Sequence, residues 1–287
     1  MGTILVTGFT GTVGREVADA LISMGESPVC AVRNPGKAEA DFAGSYEFVK
    51  LDYNDPQTYG SALKGIDRVF LMFPPEISFA AFHAFIGKMK EEAVKHITYL
   101  SLKDVQYVPF LPHFKNEKEI KRTGIPYTFL RAGYFMQNLN LFLLDELREE
   151  DRIFVAAGRG KTSFIDVRDI AEVAALSLIE PEKHRNASYP LTGSESLDFF
   201  KVADMMTEVL GRKITYTNPT VKDFKIRMLS KGLDSGYVQV VTGIHFATKL
   251  GLAKGVTKVF QELTGKQPRS MKQYLEDYKP IWKQAGR

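Results

Sequence analysis

The sequence predicts an α/β protein: a doubly wound parallel sheet with a smaller, mainly helical C-terminal lobe. Three observations carry this. Short β-branched apolar runs alternate with helix-period stretches as far as about Gly133. Glycines cluster at the first strand-to-helix junction, and after Gly133 the alternation loosens into mostly helical spacing.

The first strand is Thr3 to Thr7, a β-branched run halted by Gly8. Val13, Val17, Ala20, Leu21 and Met24 then recur at helical spacing until Gly25. Residues 28–33 form a second strand, closed by the turn Asn34-Pro35-Gly36. Further strands are predicted over 46–51, 68–73, 96–102 and 127–131, with helices between them, clearest over 78–95. Beyond Gly133 the spacing predicts a helix over 135–150, a strand over 153–157 and a helix over 169–179. From Leu197 onward the chain reads as mainly helical, with turns at Gly211 and Gly232.

At 287 residues, 44% hydrophobic and 25% charged, the chain is long enough for a well-buried core. That composition excludes a disordered, collagen-like or coiled-coil chain. A single cysteine, Cys30, excludes a disulfide scaffold and a Cys-rich zinc module, and five scattered histidines suggest no metal site. No apolar run approaches the roughly 18 residues of a membrane span, so no membrane partner is expected. No basic leader precedes the first apolar run, and a cytoplasmic location is the expectation. Net charge is +4, but residues 212–287 hold 15 Lys and Arg against 5 Asp and Glu. These read as solvated helix faces. A nucleic-acid partner is not expected, because no basic run is interleaved with aromatics.

Gly8-Phe-Thr-Gly11-Thr-Val-Gly14 lies where a dinucleotide-binding fold of Rossmann type needs small residues, between the first strand and the first helix. There the backbone turns sharply toward a pyrophosphate, and the helix N-terminus offers N–H groups and a positive dipole end. Gly8, Thr10, Gly11, Thr12, Val13 and Gly14 are the candidate contacts. Arg33 follows Gly14 by 19 positions, at the end of the second strand. An NAD-preferring fold carries Asp or Glu there; a guanidinium instead matches a 2′-phosphate with forked, charge-assisted donors. Lys37 adds a second charge. The expected cofactor is NADP(H).

The Gly-x-x-Gly-x-x-Gly spacing resembles that of the extended and atypical short-chain dehydrogenase/reductases. The segments Val32-Arg33-Asn34-Pro35, Asp52-Tyr53, Tyr127-Thr-Phe-Leu-Arg131, Leu191-Thr-Gly193 and Leu263-Thr-Gly265-Lys-Gln-Pro268 are similar to those of the NmrA-like branch. The resemblance implies Asp52 and Tyr53 beside the adenine, Phe73 and Pro74 along the ribose, and Ser101 and Gly133 near the cofactor. It also implies an oxidoreductase, since that branch holds quinone and triphenylmethane-dye reductases. The standard Tyr-x-x-x-Lys pair is replaced here by His113-Phe-Lys-Asn-Glu117. His113 is therefore either a proton donor or a positional residue hydrogen-bonded to Glu117.

Tyr134, Phe135 and Met136 follow the sixth strand and, with Asn138, are expected to wall a flat apolar pocket. The small-molecule substrate is then planar and apolar, such as a quinone, azo compound or dye. The domain reading places an NAD(P)-binding domain at 1–133, with return segments from about 153–180, and a mostly substrate-binding lobe at 134–287. Two other readings stand beside the reductase. One is a non-enzymatic NADP-binding sensor that regulates a transcription factor, the other a reductase or isomerase of a biosynthetic pathway. A homodimer is compatible with all three.

Overall fold

The computed structural model describes residues 2–42 and 46–282. The chain forms two compact units, Met1–Ala132 with Val167–Leu191 and Gly133–Asp166 with Thr192–Arg287. The first unit begins with β1 (Thr3–Val6), α1 (Thr12–Ser23), β2 (Val29–Val32), α2 (Pro35–Asp41), β3 (Glu47–Lys50) and α3 (Gln57–Leu63). It continues with β4 (Ile66–Leu71), α4 (Phe79–Glu91), β5 (His96–Leu102), α5 (Pro112–Thr123) and β6 (Tyr127–Ala132). The second unit follows with β7 (Tyr134–Phe135), α6 (Leu144–Glu149), β8 (Arg152–Ile153) and β9 (Thr162–Ile165). α7 (Val167–Ile179) and β10 (Ala187–Leu191) return to the first unit. β11 (Ser196–Leu197), α8 (Phe199–Leu210), β12 (Thr215–Tyr216), α9 (Val221–Ser230), α10 (Ser235–Lys249), α11 (Val259–Thr264) and α12 (Met271–Tyr278) complete the second.

The first unit is a seven-stranded parallel sheet in the order β10-β6-β5-β4-β1-β2-β3. Its central strands are apolar on both faces, as a sheet covered by helices on each side requires. Local chemistry starts the helices. Asn34 caps α2 through the N–H of Lys37 at 3.1 Å with Pro35 in the first turn, and Ser78 caps α4 through the N–H of Ala81 at 3.2 Å. α7 lies against α1, and the hydroxyls of Thr98 on β5 and Ser177 on α7 meet at 2.8 Å. The second unit carries β9 between β7 and β11, and β12 paired with β8. Tyr134, Phe164, Phe199, Tyr216 and Phe224 fill its core.

Several sequence expectations need correction. β4 ends at Leu71 instead of running on to Phe73, because Pro74 and Pro75 remove the donors a ladder needs. The helix expected over 135–150 divides into β7, a short 3-10 turn at Met136–Leu139 and α6. Gln137 holds that turn by donating to Asp166 at 2.8 Å, a tertiary contact that overrides helical spacing. Of the expected strand 153–157 only Ile153 pairs. Beyond it the Tyr216 hydroxyl serves the backbone, taking the Ala157 N–H at 3.2 Å and donating to the Val155 carbonyl at 3.0 Å. The segment returning to the first unit is Val167–Leu191, so 153–166 and Gly133 lie in the second. Among the described residues no helix is long and apolar enough to cross a membrane, and no cluster of three or more His, Cys, Asp or Glu is arranged to hold a metal.

Three histidines carry a pH signature. His96 and His113 are pushed down to about 4 and His245 to about 3, each chiefly by burial. Nδ1 of both His96 and His245 is buried without a partner. Below the ordinary 6.5 the unfolded chain takes up protons that these folded rings refuse, so stability present at neutral pH is lost as pH falls from 6.5 toward 4. Each ring adds about 1.4 kcal/mol per pH unit to that slope. Urea unfolding across this range should therefore show a falling midpoint. In His245→Phe, which keeps the aromatic contact with Phe224, the slope should be shallower by about one ring's share.

Candidate active site

Sheet order reverses at β1, with β2 on one side and β4 on the other, and the connections beyond these strands part to leave a crevice at their carboxyl ends. The glycine loop fills the turn from β1 to α1. Gly8 has φ +69°, a conformation that strains any residue with a side chain, and a Cβ there would also push the Met72 side chain aside. The Thr7 hydroxyl accepts the Met72 N–H at 3.1 Å and ties the end of β1 to the end of β4. A Cβ on Gly14 would meet the Gly8 carbonyl oxygen at 2.3 Å, so α1 is pressed directly onto the turn. Phe9 anchors the loop. It is fully buried and edge-on to Phe42, Tyr46 and Phe48, at 5.2, 4.7 and 5.1 Å between centroids.

α1 begins at Thr12 with Gly11 as its N-cap residue and no side chain capping it. Its first-turn N–H groups and positive dipole end therefore remain available to an anion. Thr10 and Gly11 are exposed and Thr12 half-buried, whereas Val13 turns its side chain into the core and has only its backbone to offer. Gly11 is extended, with φ −91° and ψ 170°, so its backbone suits any residue, but a Cβ there would lie 3.3 Å from the Gly8 carbonyl oxygen, a far looser fit than at Gly14 yet a tight one. What a side chain would occupy is the space in front of the helix. Arg33 directly follows β2, is exposed and makes no ion pair among the described residues; Lys37 is exposed one turn on.

The next expected contacts divide. Asp52 is half-buried, and its Oδ1 accepts the Asn54 N–H at 2.9 Å. Tyr53, expected beside the adenine, is instead a core residue edge-on to Phe85 at 5.3 Å. Phe73 and Pro74 are half-buried beyond β4, with Phe73 stacked on Phe79 at 5.6 Å and edge-on to His113 at 6.3 Å. Ser101 offers no free hydroxyl, because it is buried and donates to Glu117 Oε1 at 2.7 Å. Glu117 also receives Arg131 in a fork, Nε at 3.0 Å and Nη2 at 2.7 Å.

That arrangement corrects the expected bond between His113 and Glu117. His113 Nδ1 instead meets the Tyr99 hydroxyl at 2.8 Å. The donors run one way along this chain. Asn116 Oδ1 can only accept, so His83 Nε2 donates to it at 2.9 Å. Asn116 Nδ2 donates to the Tyr99 oxygen at 3.0 Å, which leaves the Tyr99 proton for His113 Nδ1. His113 is thereby a neutral ring with its proton on Nε2, consistent with its depression by burial against a smaller opposing pull from Glu117 and the Leu100 carbonyl. Sequence reasoning missed Tyr99, Asn116, His83 and Phe9. An aromatic at a variable position of a glycine loop is a legible sign of an anchor, but the polar chain joins three elements and has no local signature.

In the second unit, Tyr134 and Met136 are buried in the core, so the expectation that both face a pocket is corrected. Tyr134 lies edge-on to Phe164 and Phe199, and its hydroxyl is 3.3 Å from His245 Nε2. Gly133, Phe135 and Asn138 remain half-exposed.

Comparison with known proteins adds to this geometry. Residues 1–275 match the NmrA-like family model. The chain belongs to the NmrA-like family. This member is 30% identical to an NAD(P)H azoreductase of Xenophilus azovorans over 95% of its own length and 96% of the relative's. It superposes on the NADPH complex of an Escherichia coli NADPH-dependent quinone oxidoreductase with a TM-score of 0.84 and 29% identity, covering 96% of this chain and 99% of that one. It also superposes on the NADP(H) complex of Citrobacter sp. triphenylmethane reductase with a TM-score of 0.82 and 25% identity, covering 96% and 99%.

Arg131→Met should strand the Glu117 carboxylate and lower unfolding stability by about 3–5 kcal/mol. Glu117→Leu combined with Arg131→Met should recover most of that loss in the same denaturant titration. A second pair of variants separates the glycines. Gly14→Val should unfold the loop and lower the melting temperature. Gly11→Val should lower the melting temperature less than Gly14→Val does while abolishing dinucleotide binding by fluorescence titration.

Proposed function

We propose that this NmrA-like protein is an NADPH-dependent oxidoreductase that passes hydride to a planar, electron-poor acceptor of the quinone, azo or triphenylmethane-dye class. The observation that carries the proposal is the pairing of an uncapped α1 N-terminus at the sheet's switch point with an exposed Arg33, just past β2, that makes no ion pair among the described residues. The azoreductase, quinone oxidoreductase and triphenylmethane reductase relatives support the acceptor class.

The residues fit the cofactor. First-turn N–H groups of Thr12, Val13 and Gly14 hold the pyrophosphate, Gly11 leaves room for it, and Arg33 with Lys37 holds the 2′-phosphate. Asp52, Phe73 and Pro74 border the remainder. NADP(H) supplies the hydride when bound. Within the Gly133–Asn138 segment, Gly133, Phe135 and Asn138 keep exposed surface, whereas Tyr134 and Met136 are packed in the core of their own unit.

Proton delivery does not need a side chain. With His113 depressed to about 4, about one ring in a thousand is protonated at pH 7, and the accepting oxygen or nitrogen takes its proton from water. Cys30 is no alternative redox group, because burial and the nearby Asp19 and Glu47 push its thiol up to about 12. A cytoplasmic setting suits this reading, since the chain has no second cysteine.

Purified protein should oxidise NADPH with at least one acceptor in a panel of quinones, azo dyes and triphenylmethane dyes. No turnover across the panel, with tight NADP+ binding, favours the sensor reading instead. Arg33→Glu should weaken NADPH binding at least about tenfold while changing NADH little, because each charge-assisted hydrogen bond contributes roughly 1.5–3 kcal/mol. Equal affinities of the parent for NADH and NADPH would overturn the cofactor assignment. His113→Ala should cost far less in kcat than the roughly hundredfold or more of a lost general acid.

A further inference from the structure

Among the described residues no helix is long and apolar enough to cross a membrane, but contact with a membrane surface has different requirements: exposed apolar side chains and basic residues on one face. We propose that the α10 end of the second unit is a docking surface for an anionic lipid bilayer. From Ser235 to Gln261 the sequence contains no carboxylate, yet it holds Lys249, Lys254 and Lys258, all exposed. Phe246 stands just before the first of those lysines and Leu250 and Leu252 between the first two, and they are 53%, 59% and 67% exposed. Phe246 and Leu250 are one turn apart on α10 and share its outer face.

This display is held in place. The Leu252 N–H bonds the Ala247 carbonyl at 3.0 Å, the Ser163 N–H bonds the Ala253 carbonyl at 3.0 Å, and the Thr257 N–H bonds the Thr192 hydroxyl at 2.9 Å. A loop pinned at three points still turns Leu252 outward. A neighbouring turn adds charge. A Cβ on Gly160 would lie 1.9 Å from the Thr248 carbonyl oxygen, and one on Gly158 would lie 3.2 Å from the Lys249 side chain. The turn carrying exposed Arg159 and Lys161 is therefore pressed against the end of α10.

Charge selects the occupant. In a two-fold contact with a second copy the patch would face itself, so several cations and no α10-segment carboxylate would meet their own image. An anionic lipid surface accepts the lysines and arginine at headgroup level and the three apolar side chains just beneath. The inference stands apart from the reductase reading, since vesicle binding requires no turnover. If both hold, the surface brings the protein to the phase in which apolar acceptors dissolve.

Co-sedimentation of the full chain with phosphatidylcholine vesicles and with vesicles containing phosphatidylglycerol tests this. Binding is expected to the anionic vesicles and to fall steeply with added salt. Lys249→Glu with Lys254→Glu should weaken it at least about tenfold, as should Leu250→Ser with Leu252→Ser. Thermal melts and NADPH titration of the same variants check that both units stay intact. Equal sedimentation with neutral and anionic vesicles, or none with either, overturns the proposal. So does a dimer in sedimentation equilibrium that Leu250→Ser with Leu252→Ser dissociates, because the patch is then covered by a second copy.

Discussion

The contact between Gly14 and the Gly8 carbonyl is the constraint on which the nucleotide end of the first unit depends. No Cβ fits between them, so the first turn of α1 is seated on the turn that ends β1. The helix N-terminus is thus fixed at the carboxyl edge of the sheet, beside the point where strand order reverses. Phe9 secures the turn from beneath, in a cage of Phe42, Tyr46 and Phe48, and Thr7 ties it to Met72. An anion site built this way is preorganised, because the N–H groups are held by packing before any ligand arrives.

At the corner of β5, α5 and β6, where other short-chain reductases place a Tyr–Lys pair, this chain has two separate polar assemblies. Ser101, Glu117 and Arg131 satisfy one another in a buried fork. Tyr99, His113, Asn116 and His83 form a one-way donor chain that ends on a neutral imidazole. Both join side chains of separate elements, with partners 14 to 33 residues apart. The result is a corner built for rigidity and shape, which suits an acceptor that solvent can protonate.

The second unit separates its aromatic residues by role. Tyr134, Phe142, Phe199 and Phe224 surround the buried His245, while Phe246, one position on, faces out. Buried Glu146 gathers Arg152, Arg227 and Lys231, joining α6, β8 and α9 through one carboxylate. Burial raises that carboxyl, yet its three cationic partners together hold it below the usual range. Such a hub keeps short elements in register where no long ladder does.

By itself the sequence determined what local chemistry controls. The order of the first six strands follows from apolar runs bounded by Gly, Pro and Asn, and the position of the anion-binding turn follows from glycine spacing. The start of α4 after Ser78 and the place of Arg33 just past β2 are legible for the same reason, whereas Asn34-Pro35-Gly36, read as a turn, opens α2 with Asn34 as its cap. Tertiary structure alone decided the rest. The stretch 135–150 has helical spacing, but Gln137 finds Asp166 and the segment becomes strand, turn and short helix. Tyr53, Tyr134 and Met136 have the chemistry of ligand contacts, yet packing from distant segments buries them. His113 is three residues from Asn116 and fourteen from Tyr99, and only the meeting of α5 with β5 sets its proton on Nε2. Spacing along one element records which face a residue shares with its neighbours. Which partner covers that face is set by side chains elsewhere in the chain, and no local pattern encodes them.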